Sequence, residues 1–239
     1  MFPAPSHPSA EAAAVPRSQR VEAAQAITQV AALIFIVILG TSAILSAAGE
    51  IKLPYELHLL ERRLPIVFRA HMAVSGLAAI LIALALAARR HPTWHRPMGR
   101  LAAAAVLIGG LTALPSALLS EASPIARAAF FTQACVWLAL LVVGLAAIRR
   151  RRFALHRLAM LAMAAVASGA IWLRLATVAT AVVGLPHDRC YAVAAWAAWL
   201  LPLLATAAFT INRRGIPWQS DRSPPRESAA SSGLPARSH

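Results

Sequence analysis

Residues 23–49 form a run with no charged residue and no histidine. A helix needs about 20 predominantly apolar residues to cross a bilayer, and this run supplies them with length to spare. Five further runs follow, over residues 64–88, 101–120, 128–148, 158–186 and 190–211. The second reaches spanning length only by including Arg69 and His71, and the fifth is interrupted by Arg174. Apolar residues fill every helical face in these runs, the pattern of lipid-immersed helices rather than amphipathic surface ones. The spacing therefore predicts an all-α, polytopic transmembrane helix bundle of about six spans over residues 23–211.

Composition excludes the soluble alternatives. Hydrophobic residues make up 59% of the 239, charged residues 13%, and the formal net charge is +14. So little polar surface cannot coat a water-exposed globule. A basic excess often signals nucleic-acid binding, but these arginines sit between long apolar runs, so no nucleic-acid partner is expected. Two cysteines, Cys135 and Cys190, are too few for a disulfide framework or a Cys-based metal cluster. The residues before the first run lack a short apolar core and a cleavage site, so no cleaved signal peptide is expected.

Arginine and lysine then orient the chain. With the N-terminus cytoplasmic, segments 1–22, 89–100, 149–157 and 212–239 hold sixteen Lys and Arg, against six in segments 49–70, 120–127 and 185–190. That asymmetry follows the positive-inside rule and predicts both termini in the cytoplasm, in a cell inner (plasma) membrane. Segments 1–22 and 212–239 read as disordered cytoplasmic tails, rich in Pro, Ser, Ala and Arg. In the outer segment, Leu53, Leu57, Leu60 and Leu64 recur at helical spacing, which suits a short helix on the outer leaflet or capping the bundle. Its Glu50, Glu56 and Glu61 read as surface charge.

Ionisable groups inside spans are costly and thus functional candidates. His71 lies 18 positions before Arg89, about 27 Å along a helix, which places it just inside the outer edge. Arg174 lies 18 positions after His156, at similar depth, and Gln133 lies slightly deeper. His71, Gln133 and Arg174 are the candidate lining of an outer ligand pocket, with Glu121 and His187 from the adjoining loops. The competing reading has Arg174 snorkelling to the interface and His71 bonding a neighbouring helix. At the inner face, His95-Arg96 and His156-Arg157 each open an Ala-rich helix after an Arg-rich loop. Two histidines at matched depth on parallel helices are candidate axial ligands of a haem b. The same helix starts, with Arg96, Arg100, Arg152 and Arg157, equally suit an anionic lipid headgroup, and ordinary positive-inside loops remain a third reading. No metal site is expected.

The arrangement resembles a bacterial predicted membrane-protein family, domain of unknown function 2306. The resemblance rests on His71 followed by Gly76, the His95-Arg96-Pro97-Met98-Gly99-Arg100 start of the third span, Trp137, the His156-Arg157-Leu158-Ala159-Met160 start of the fifth, and Leu173-Arg174-Leu175. It covers roughly residues 65–180, and Ala159 stands where the family pattern implies an aromatic. The resemblance carries no activity with it. A looser similarity links the chain to two-haem transmembrane cytochromes, from which it departs at the fourth span, where Gln133 stands and no histidine does.

Three readings follow: a redox protein associated with haem or quinone, a small-molecule transporter or binder, and a non-catalytic membrane scaffold. No carboxylate pair, nucleophile with a base, Gly-rich phosphate loop or CxxCH is present.

Overall fold

The computed structural model describes residues 17–215, and among these no strand occurs. Eight helices follow in chain order: α1 (Arg17–Ala48), α2 (Tyr55–Arg63), α3 (Pro65–Ala87), α4 (Pro92–Leu118), α5 (Pro124–Arg149), α6 (Phe153–Ala167), α7 (Gly169–Val183) and α8 (His187–Gly215). α6 and α7 are halves of one span, so six stretches of the described chain are long and apolar enough to cross a membrane.

Proline sets three of the starts. Pro65, Pro92 and Pro124 each stand at the beginning of a helix, where the missing N–H costs nothing and φ is already helical. Leu64 and His91, which precede two of them, leave the helical region, as the proline ring requires. Leu64 thereby separates the short α2 from α3.

Four boundaries differ from the sequence expectation. α1 begins at Arg17, so residues 17–22, expected in the tail, are helical. α8 runs through Gly215, so residues 212–215, also expected in a tail, are helical too. The rest of both expected tails, residues 1–16 and 216–239, lies outside the described residues. α4 begins at Pro92, which makes His95 the fourth residue of the helix instead of its cap. The fifth span breaks at Ser168 and runs helical through Arg174. Arginine is a good helix former whose long side chain can leave the helix surface, whereas a Ser-Gly pair is a recognised site of helix breaks.

α3, α4, α5 and α6 pack in sequence, α8 lies against α5, α6 and α7, and α1 lies against α3. The buried cluster between them is built from two tryptophans, Trp137 and Trp199, and from small residues such as Ala78, Ala102 and Ala105. Small residues let helix backbones approach closely, which is how helices associate where lipid removes the hydrophobic drive between them. Two backbones approach closely at Gly40 of α1 and Gly76 of α3. A Cβ on Gly76 would lie 2.5 Å from the Gly40 carbonyl oxygen, and one on Gly40 2.7 Å from that of Gly76. By contrast, a Cβ on Gly99 meets nothing within 4 Å.

Gly76→Leu is therefore expected to pry α1 from α3 and to cost about 1–3 kcal/mol. Gly99→Ala should hold or raise stability by up to about 1 kcal/mol. Thermal unfolding of the detergent-solubilised protein reads both, and a Gly76→Leu variant that melts with the parent would refute the crossing.

Candidate functional site

Four of the five residues singled out from the sequence turn out to cross-link neighbouring helices. His95 in α4 donates from Nδ1 to the Ala85 carbonyl of α3 at 2.9 Å. His156 in α6 donates from Nδ1 to the Gly144 carbonyl of α5, also at 2.9 Å. Towards the other end of the same helix pairs, His71 Nδ1 lies 3.1 Å from the Gly109 carbonyl of α4, and Gln133 Nε2 donates to the Val166 carbonyl of α6 at 3.0 Å. A carbonyl only accepts, so each histidine in these bonds carries its proton on Nδ1.

The pattern is a repeat. Pro65 and Pro124 begin the first helix of each pair, the acceptors Ala85 and Gly144 stand twenty residues further on, and His95 and His156 are each the fourth residue of the helix that follows. Each hairpin, α3–α4 and α5–α6, is thus latched at both ends, by a histidine reaching back and a polar side chain reaching forward. Gly144 also leaves room for the Met160 side chain, whose methyl group occupies the space a Cβ would fill. His95 and His156 share one end of the bundle, but α4 packs on α3 and α5, whereas α6 packs on α5 and α8. Each ring is therefore committed to a different helix pair.

The second hairpin carries a feature the first lacks, the Ser168 break. Gln133 of α5 bonds Val166 on the last turn before it, and Gly169 follows it. A Cβ on Gly169 would lie 2.8 Å from Gln133 Nε2 and 2.9 Å from Trp199 Cβ, so only glycine lets α5, α7 and α8 meet there. Trp137 lies one turn beyond Gln133 on α5 and approaches Gly109, the acceptor of His71. Trp137 and Trp199 are 9% and 3% exposed, and the indole Nε1 of each is buried without a hydrogen-bond partner. Buried donors of this kind are rare and demand an explanation. In the sequence Trp137 carries only the resemblance and Trp199 carries no signal, because indoles in an apolar run read as packing until their N–H groups are seen to lack acceptors.

The expected outer constellation does not close on one point. Arg174 is exposed on α7 and donates to the Ala170 carbonyl of its own helix at 2.9 Å, within electrostatic reach of Tyr191 on α8. Glu121 pairs with Arg63 of α2 at 2.6 Å and not with Arg174. The side chain of His187 lies outside the described ones.

The short helix expected in the outer segment is α2, and it caps the bundle with Leu60 buried. Glu61 is not the loose surface charge expected of it. One carboxylate oxygen accepts from Arg69 Nε at 2.7 Å and the other faces His58 Nδ1 at 3.2 Å. The Arg69 hydrogen bond is the main reason its carboxyl titrates below the ordinary range, with the nearby positive charge adding to it. Arg63 and Glu61 thus tie α2 to both sides of the bundle end.

The fold and its latches define a six-span membrane protein built around two tandem helical hairpins. Residues 68–211 match the family described as Predicted membrane protein (DUF2306), and the chain belongs to that family. The match starts within α3 and runs through the last span, which the sequence resemblance had left outside. No curated protein matches the chain, and no solved structure does.

Two outcomes test the latches. His95→Ala and His156→Ala should each lower stability by about 0.6 kcal/mol, the typical worth of an interhelical bond in a membrane. Being in separate hairpins, they should add in the double variant; a thermal unfolding cycle measures both, and strong non-additivity would mean that the two rings share one site. For Glu61, ionisation is favoured by folding, so its contribution is complete above the ordinary carboxylate range and disappears as pH falls through its depressed value. The difference in melting temperature between the parent and Glu61→Gln should be constant near neutrality and shrink on acidification below about pH 4.

Proposed function

We propose that this protein binds a lipophilic small molecule carrying hydrogen-bond acceptors, at the break of its fifth span, with quinone the chemical class that fits. The observation that carries this reading is the pair of buried, unpartnered indole N–H groups, Trp137 and Trp199, on helices that meet at that break. An indole donates and cannot accept, so the complementary ligand supplies carbonyl oxygens. Indole rings in an apolar bundle core suit a flat, oil-soluble ring. Membrane carriers place their sites at repeat interfaces, beside discontinuous helices, and here α5 of the second hairpin packs on α4 of the first while α6–α7 is the discontinuous span. Movement of α7 about Ser168–Gly169 is the step that admits the ligand.

Both termini are placed in the cytoplasm on the Lys and Arg asymmetry, in a bacterial inner membrane, with the Arg-rich turns at residues 89–100 and 149–157 meeting anionic lipid headgroups. For His95 and His156 the Nδ1 bonds to the Ala85 and Gly144 carbonyls supply a latching role that needs no haem. A reduced-minus-oxidised visible spectrum that stays flat with haem precursor supplied is the expected result.

Trp137→Phe and Trp199→Phe keep the ring and remove only the donor. Each should weaken binding of a short-chain quinone about tenfold, the upper range for one hydrogen bond. Folding stability should hold or rise, because a buried donor without an acceptor is removed. Equilibrium binding to the detergent-purified protein measures the first and thermal unfolding the second. Unchanged quinone binding in both variants would remove the site, and absence of binding by the parent would remove the ligand class.

A further inference from the structure

A cleft of about 370 Å³ opens beneath α2, between the end of α1 and the start of α3, and its walls include Lys52, His58, Glu61 and Arg69. Its volume falls in the range of small-molecule sites. The single carboxylate on this wall has no free oxygen to offer a ligand, because Glu61 directs one oxygen to Arg69 and the other to His58. Arg69 spends only Nε on that contact, which leaves the paired Nη groups of its fork. Lys52 is exposed, and among the described residues no hydrogen bond or ion pair holds it. Glu61 therefore acts as a brace that fixes a guanidinium and an imidazole, while the positive charge left over belongs to Lys52. Ile51 and Leu53, on either side of Lys52 in the chain, give the cleft an apolar part.

We propose that this cleft binds a phosphate-bearing anion, with the Arg69 fork and the Lys52 ammonium on the phosphate oxygens and the organic part against Ile51 and Leu53. A planar fork paired with a point charge is the donor set suited to phosphate. Two sources share this chemistry, a water-soluble phosphate and a phospholipid headgroup, since α1 ends and α3 begins beside the cleft at the membrane boundary. The site is independent of the indole pair. Of the five polar residues on its wall, only Arg69 falls within the family match, so the site belongs to the peripheral elements of this chain.

The test uses the full chain. Inorganic phosphate is titrated calorimetrically into detergent-purified protein, and phosphatidylglycerol is compared with phosphatidylcholine by lipid retention in mass spectra of the intact protein. Lys52→Gln should weaken binding at least tenfold with an unchanged melting temperature, and Lys52→Arg should restore it. Saturable phosphate binding with this dependence identifies a soluble ligand; selective retention of phosphatidylglycerol with the same dependence identifies a headgroup. Either result supports the site. Absence of saturable binding of both probes, or equal binding by the parent and Lys52→Gln, overturns it.

Discussion

Inside lipid, a polar side chain finds its partner in the protein or bears a cost of several kcal/mol. The bundle depends on how this chain meets that constraint. Four polar side chains, His71, His95, Gln133 and His156, each bond a backbone carbonyl of an adjacent helix. Helical carbonyls retain a second lone pair, so the acceptors Ala85, Gly109, Gly144 and Val166 take the extra donor without giving up the helix. The bonds add direction to what Ala and Gly packing leaves loose. Small residues allow close approach at many rotations, whereas a side chain aimed at one carbonyl selects one.

The same logic makes Trp137 and Trp199 stand out. Among the described residues every other buried side-chain donor or acceptor has a partner, and the half-buried Trp196 reaches the Ile125 carbonyl at 3.2 Å. Trp196 and Trp199 lie 5.8 Å apart between ring centroids, yet only the first is satisfied. An unmet donor on each of two helices, α5 and α8, beside the one broken span is the combination from which the ligand proposal grows. The Gly169 contact shows why the break stands where it does: Gln133 and Trp199 occupy the space of a Cβ, so glycine and the irregular turn belong to the same close approach.

The spans were legible in the sequence because hydrophobicity over about 20 residues is a strong, additive signal. Level along the bundle is legible too. Helix rise puts His71 and Gln133 towards the end opposite His95 and His156, as the latches show, and the matched starts at His95 and His156 correspond to identical positions in α4 and α6. Azimuth was not legible. Depth says nothing about which way a side chain points around its helix, so His71, Gln133 and Arg174 were grouped at one level when they face three different partners. The Ser168 break was hidden for a related reason, since it depends on Trp199, thirty residues downstream. Glu61 was misjudged because the partner that fixes it, Arg69, lies beyond the Leu64–Pro65 break, which carries it onto another helix.

That break also separates two parts of the molecule held by different forces. Within residues 68–211, helices are joined by side-chain bonds to backbone carbonyls. Outside them, α1 is joined to α3 by the Gly40–Gly76 approach, and α2 by ion pairs at the bundle end, where water and salt screen charge. Interactions of the second kind are individually weak and sensitive to pH and ionic strength. The peripheral elements therefore form the adjustable part of the structure, and the twin hairpins its fixed frame. An adjustable element standing over a cationic cleft is placed to respond to the membrane surface without disturbing the bonds that hold the core.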